Sequence, residues 1–258
     1  MEINYRTKIG SIKFNSKDIN GITGNKISDI EKIIKVDNDL VEKILIDKKE
    51  LSKEEYNIFK KKISIVRLGD NLNIQIKTIN ELMEYILKNN KIYPKNKQKK
   101  INDSLRIVGL DKDMLERNIS EISRSEKKLL QIAISLLSNP DVLLIEEPFN
   151  YLDLKSIKNI MIVLRKMKDQ YSKIIIFVSN DTEMLYKYTD KTIVCNTKEI
   201  VIEGKTKKVF QEVEKLKDNN IKIPKIVEFT YKARKEKKVK IDYHNDIRDI
   251  IKDIYKHV

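Results

Sequence analysis

The chain has no tryptophan, one cysteine, two histidines, four prolines and six glycines in 258 residues. One cysteine excludes an intrachain disulfide, so an oxidising compartment is not required. Cys195 sits in the apolar run Thr192-Ile193-Val194-Cys195 and reads as a small buried hydrophobe. The two histidines, His244 and His257, stand far from every other chemistry-bearing motif and read as surface residues. No apolar run approaches the roughly 18 residues of a membrane span, and the first residues lack the apolar core of a signal peptide. Any passage through the membrane therefore has to come from a partner. Acids are also short: 39 against 53 Lys and Arg, a net charge of +14 and a pI of about 9.4. Such an excess attracts nucleic acid or anionic surfaces. Here the lysines run through every segment, mixed with Ile and Asn, which is the bland pattern that AT-rich coding produces.

What is present centres on residues 122–153, ISRSEKKLLQIAISLLSNPDVLLIEEPFNYLD. Leu129, Leu130, Ile132, Ala133, Leu136 and Leu137 recur at helical spacing and predict a helix from about Ser125 to Ser138. Asn139-Pro140-Asp141 breaks it. Val142 to Ile145 is a continuous apolar run, the pattern of a buried parallel strand. Glu146 and Glu147 follow, then Pro148. Two adjacent carboxylates at the end of a buried strand are costly unless they meet a cation or a reacting water. The carboxyl ends of strands are also where open α/β sheets bind ligands.

This order resembles the heart of an ATP-binding cassette (ABC) ATPase. The resemblance implies an α/β fold: a P-loop NTPase-like core, a helical subdomain and a small C-terminal α-rich domain. It divides the chain into a core at 1–74 and 141–211, a helical subdomain at 75–140 and an extension at 212–258. In the family, Ser123, Arg124, Ser125 and Glu126 would form the signature loop, although its usual Ser-Gly-Gly is Ser-Arg-Ser here. Glu146 would be the magnesium ligand, Glu147 the catalytic carboxylate, and Asp153 would close the D-loop. ATP and magnesium are the implied cofactors.

Elsewhere the family's pattern fades. Asp18 to Lys35 occupies the place of the phosphate-binding loop, with Gly21 and Gly24 expected at its turn and Lys26 and Ser28 nearby. The Gly-Lys-Ser/Thr ending is missing: aligned from Gly24, the lysine position holds Ile30, between Asp29 and Glu31. Ser28 and Glu31 have capping-box spacing, which puts carboxylates where a phosphate would sit. Leu68 takes the place of the family's glutamine, with Gln75 a few residues on, and Asn180 that of its histidine. Asparagine forms hydrogen bonds but carries neither proton nor charge. Tyr5 is the one candidate for stacking on adenine and reads better as a strand tyrosine. Thr78 to Asn90 predicts an amphipathic helix, and Tyr93 to Lys100 a basic loop, solvated or touching lipid headgroups.

The C-terminal segment around Ile223-Pro224, Val227, Phe229 and Tyr231 is similar to the extension of the energy-coupling factor importer branch. That branch implies a cytoplasmic subunit, peripheral on the inner face of the membrane. Its partners would be a transmembrane transporter subunit and a second ABC chain with an intact P-loop, this chain being the degenerate half. Three other readings stay open: an unusual but competent ATPase, a catalytically dead scaffold, and a basic nucleic-acid-associated ABC protein.

Overall fold

The computed structural model describes residues 1–7, 10–24, 34, 41–67, 76–196, 199–237, 241–244 and 247–256. Among these, the N-terminal part forms β1 (Glu2–Thr7), β2 (Gly10–Asn15), β3 (Ile19–Gly24), β4 (Val41–Ile46), β5 (Lys49–Glu50), α1 (Lys53–Lys60) and β6 (Ile63–Val66). A helical section follows, with α2 (Ile79–Asn89), α3 (Lys97–Val108), a 3-10 turn at Lys112–Glu116 and α4 (Arg124–Leu137). The chain then returns to the sheet through β7 (Val142–Glu146), α5 (Leu154–Tyr171), β8 (Ile174–Val178), α6 (Thr182–Tyr188), β9 (Lys191–Cys195) and β10 (Ile200–Lys205). It ends in α7 (Thr206–Gln211), α8 (Val213–Asp218), α9 (Lys225–Lys237) and α10 (Ile247–Lys256). No helix among the described residues is long and apolar enough to cross a membrane.

Six strands form the main sheet in the order β10-β9-β3-β8-β7-β6, parallel except for β10, which pairs antiparallel with β9. Its apolar strands are buried on both faces, as parallel sheets require. Successive residues point to opposite faces, and the two apolar clusters follow that alternation. Leu143, Ile145, Ile175, Phe177 and Val194 join one cluster with the helical section and the C-terminal helices. Val142, Leu144, Ile174, Ile176, Val178, Ile193 and Cys195 join the other, with Ile34 and the small sheet. That small sheet, β2-β1-β4-β5, is wholly antiparallel. It joins the first residues of the chain to β4 and β5 in a second layer. Tyr5 is fully buried there, edge-on to Phe14.

Helix starts follow local chemistry. Ser52 with Glu55, Thr78 with Glu81, and Ser123 with Glu126 each form a complete capping box, in which two otherwise orphaned N–H groups are satisfied reciprocally. α3 starts within the expected basic loop, at Lys97, because the Asn96 side chain accepts the Lys99 N–H and caps it. β6 lies at the sheet edge, so Ile63 and Ile65 are only half-buried. The C-terminal segment packs on the core: Val213, Leu216 and Val227 belong to the same cluster as Leu143 and Phe177. His244 is half-buried rather than on the open surface, its Nε2 lying 2.5 Å from a carboxylate oxygen of Asp253.

Candidate functional site

The site is built where three elements end together: β7, β8 and the N-terminus of α4. β7 and β8 are parallel neighbours, with Glu146 opposite Val178. This pairing puts Glu147 beside Ser179 and Asn180, although 32 residues separate Glu147 from Ser179. Glu147 sits at φ +40°, a left-handed conformation that costs a non-glycine residue about 1–2 kcal/mol. Three hydrogen bonds hold it there. Its N–H donates to the Val178 carbonyl at 2.8 Å. The Ser179 hydroxyl donates to Oε2 at 2.6 Å, and the Asn180 N–H donates to Oε1 at 3.1 Å. Ser179 Oγ also accepts the Asp181 N–H at 3.0 Å, and Asp181 caps α6 through the Met184 N–H. Both oxygens of the candidate base are thus committed to the loop after β8.

Glu146 is half-buried at the last position of β7. Its carbonyl accepts a 2.7 Å hydrogen bond from Lys128 Nζ. Lys128 is only 3% exposed, and it ties the helix behind the signature loop to the acidic strand end. A fully buried lysine is rare unless its ammonium finds acceptors. Sequence reasoning passed over Lys128 and Ser179. Lys128 had a local signal, since it shares a helical face with the buried Ile132 and Ser135. Ser179 had none, because its partner comes from a neighbouring strand.

Ser123 and Glu126 form the capping box that opens α4. Ser123 accepts the Glu126 N–H at 3.2 Å, and the Glu126 carboxylate takes the Ser123 N–H at 2.7 Å. Hydrogen bonds from Ser123, with Arg117 adding a 2.7 Å ion pair, hold the Glu126 carboxyl below the usual carboxylate range. Ser125 Oγ lies 3.0 Å from Ser123 Oγ. Arg124 is exposed, its guanidinium 5.5 Å from the centre of the Tyr151 ring, which brings the start of α4 and the turn before α5 together. Asp153 caps α5 by accepting the Ser156 N–H at 2.7 Å, the main cause of its lowered pKa.

The expected phosphate loop is only partly placed. Gly21 is not at a turn. It lies inside β3, paired with Phe177 on one side and Thr192 on the other. A Cβ there would stand 3.0 Å from Thr189 Cγ2 and 3.1 Å from Leu185 Cδ2, so this glycine lets α6 approach the strand. Gly24 does end the strand. Its φ is +133°, and an added Cβ would fall 1.8 Å from the Cys195 carbonyl oxygen, which excludes any side chain. Lys26, Ser28, Asp29, Ile30, Glu31, Leu68, Gln75 and His257 lie outside the described residues.

For magnesium, no three His, Cys, Asp or Glu side chains gather among the described residues. Magnesium at phosphoryl-transfer sites uses one or two carboxylates and takes its other ligands from water and phosphate. Glu146 fits that requirement as one carboxylate. Glu147 is turned toward Ser179 and Asn180, with one acceptor site used on each oxygen. On the other side of Glu147 a cleft of about 620 Å³ opens, lined among others by Phe149, Ser179, Tyr186 and Lys207. Lys207 donates to the Tyr186 carbonyl at 2.5 Å, and burial pushes its pKa down to about 8.

The family model for the ABC transporter matches residues 28–150, from the candidate phosphate loop to just past the acidic pair. The chain carries an ABC transporter domain. Its sequence is similar to two energy-coupling factor transporter ATP-binding proteins EcfA2. That of Clostridium perfringens is 31% identical over 168 residues, 65% of this chain and 59% of that protein. That of Caldanaerobacter subterraneus is 30% identical over 138 residues, 54% and 48% of the two. The chain thus spans about half the length of the curated relatives it matches. The fold is that of solved ABC cassettes. Clostridium perfringens cbiO1, described as part of the ABC transporter complex cbiONQ, superposes with a TM-score of 0.68 at 20% identity, over 89% of this chain and 98% of that one. The dimeric ATP-binding cassette MJ0796 bound to ADP and Pi superposes at 0.65 and 19%, over 80% and 99%.

Proposed function

We propose that this chain is the degenerate half of a pair of ABC ATPases in an energy-coupling factor type importer, where it couples its partner's ATP cycle to movement of a transmembrane subunit. The observation that carries this reading is the state of Glu147, whose two oxygens are bonded to Ser179 and Asn180. These bonds use one acceptor site on each oxygen and fix the carboxylate toward the loop after β8, whereas a general base has to point at the proton it removes. Asn180 in place of histidine and Ile30 in place of the loop lysine take away further transition-state stabilisation.

The signature loop supports the other half of the role. Ser123 opens a 14-residue helix whose capping-box carboxylate, Glu126, is paired with Arg117, so the N–H groups of Arg124 and Ser125, with the exposed Arg124 side chain, can face a phosphate bound by a second chain. The names of the similar EcfA2 proteins and the C-terminal segment support the importer branch. Pro224 is buried, and Tyr231 is bonded to Glu214 and Lys235. Phe229, Ile247, Ile251 and Tyr255 are the large exposed apolar side chains of this segment among the described residues.

The test is co-expression with an ABC chain that has an intact P-loop. The two should co-purify, and Ser123→Arg in this chain should lower the partner's ATPase rate while Glu147→Gln leaves it unchanged. The chain alone should hydrolyse ATP at background. A stable monomer that binds no such chain would overturn the proposal. So would solitary turnover in the range of about 1–100 per second that vanishes in Glu147→Gln.

A further inference from the structure

We propose that residues 85–102 form a docking surface for anionic lipid headgroups. These eighteen residues hold six lysines, Lys88, Lys91, Lys95, Lys97, Lys99 and Lys100, and no Asp or Glu. The excess over the whole chain is fourteen, so a short stretch carries six of it. Charge scattered evenly over the surface does not give such a concentration.

Lys97 pairs with Glu84 at 2.8 Å. Lys91, Lys95, Lys99 and Lys100 meet no carboxylate among the described residues. Three of the lysines fall in the opening turn and a half of α3, where the helix dipole disfavours cations, and that first turn holds no acid. The first turns of α1, α2 and α4 each carry glutamate. Helix stability therefore does not account for these lysines.

Apolar groups are interleaved with the charge. Tyr93 is 79% exposed, Tyr85 41% and Ile107 42%. A hollow of about 430 Å³ lies among Tyr85, Lys88, Tyr93 and Lys97, with Glu81 and the Lys97-paired Glu84 on its wall. A second, of about 280 Å³, lies among Asn96, Lys99, Lys100 and Ile107, with Asp103, paired to Arg106, on its wall. Tyrosine favours the membrane–water boundary, and long lysine stems lie along apolar surface while their ammonium groups reach phosphate. A double-helical nucleic-acid backbone calls for charge alone; a single strand would also stack bases on the tyrosines, and tighter binding to RNA than to vesicles is the outcome that would show it. The proposal rests on the preceding reading only in placing the chain at a membrane.

The experiment is flotation of the purified full chain with phosphatidylcholine vesicles, with and without phosphatidylglycerol. Binding should require phosphatidylglycerol and weaken as salt rises. Each basic residue near an anionic surface is worth about fivefold in partitioning. Lys91→Gln, Lys95→Gln, Lys99→Gln and Lys100→Gln together should therefore lower it several-hundredfold. A control with Lys155→Gln, Lys158→Gln, Lys166→Gln and Lys208→Gln removes four exposed lysines elsewhere and should change it only a few-fold. Tyr93→Ser should weaken binding without changing its salt dependence. Equal losses in both lysine sets, absence of vesicle binding, or tighter binding to RNA than to vesicles by the same lysines would overturn the proposal. Vesicle binding by a chain that captures no second ABC subunit would sink the importer reading and leave this one standing.

Discussion

Removing the Ser179 hydroxyl should weaken the fold through Glu147. Ser179 is fully buried, and its hydroxyl makes two contacts: a 2.6 Å donation to the Glu147 carboxylate and a 3.0 Å acceptance from the Asp181 N–H. A hydrogen bond to a charged group contributes about 1.5–3 kcal/mol, and an unpaired buried partner adds to the loss. Ser179→Ala should therefore cost about 3 kcal/mol. With an unfolding entropy of about 2.1 cal/mol/K per residue, a chain of this size loses about 5–6 °C of Tm. Differential scanning calorimetry reads this directly, and a double-mutant cycle assigns it. In a Glu147→Ala background, the same Ser179→Ala change should cost about 1 kcal/mol, leaving a coupling of about 2 kcal/mol between the two side chains. The Asn180 amide should also lose hydrogen-exchange protection in Glu147→Ala and keep part of it in Glu147→Gln, which retains an acceptor oxygen. Strict additivity of the two substitutions, or an unchanged Tm in Ser179→Ala, would refute the account of Glu147 as a residue committed to the loop after β8.

Three further outcomes follow from side chains whose surroundings are set by burial. The Tyr5 hydroxyl is buried without a hydrogen-bond partner among the described residues, so Tyr5→Phe should be neutral or stabilising by about 1 kcal/mol in a denaturant titration. Burial pushes the Cys195 thiol up to about 12, so a thiol reagent at neutral pH should modify Cys195 only as fast as the chain unfolds. Asp141 is partly buried, which raises its pKa, but hydrogen bonds and ion pairs with Lys173 at 2.8 Å and Lys62 at 3.1 Å outweigh this and lower it. Because the folded pKa lies below the unfolded one, this stabilisation is present above the unfolded value and fades as pH falls through the folded value. Asp141→Asn should therefore destabilise the chain by about 1 kcal/mol at neutral pH and by little at pH values below its pKa, as read from denaturant midpoints.

The sequence alone determined the elements whose signals are local. The apolar spacing of Leu129, Leu130, Ile132 and Ala133 made α4, and Ser123 with Glu126 three residues later closed its end. The run Val142 to Ile145 made a buried strand with its acids at the carboxyl end. Each of these depends on neighbours within about one turn or one strand, so periodicity and capping suffice. The tertiary structure decided what those acids touch. Glu147 meets Ser179 only because β7 pairs with β8, and Gly21 belongs to a strand interior only because β3 inserts between β8 and β9. Lys128 reaches the Glu146 carbonyl only because the helical section folds onto the end of the sheet. Apolar periodicity fixes which face of an element is buried, but it carries no information about which strand lies alongside. The environment of a carboxylate at a strand end is set by that neighbour, which here lies some thirty residues further along the chain.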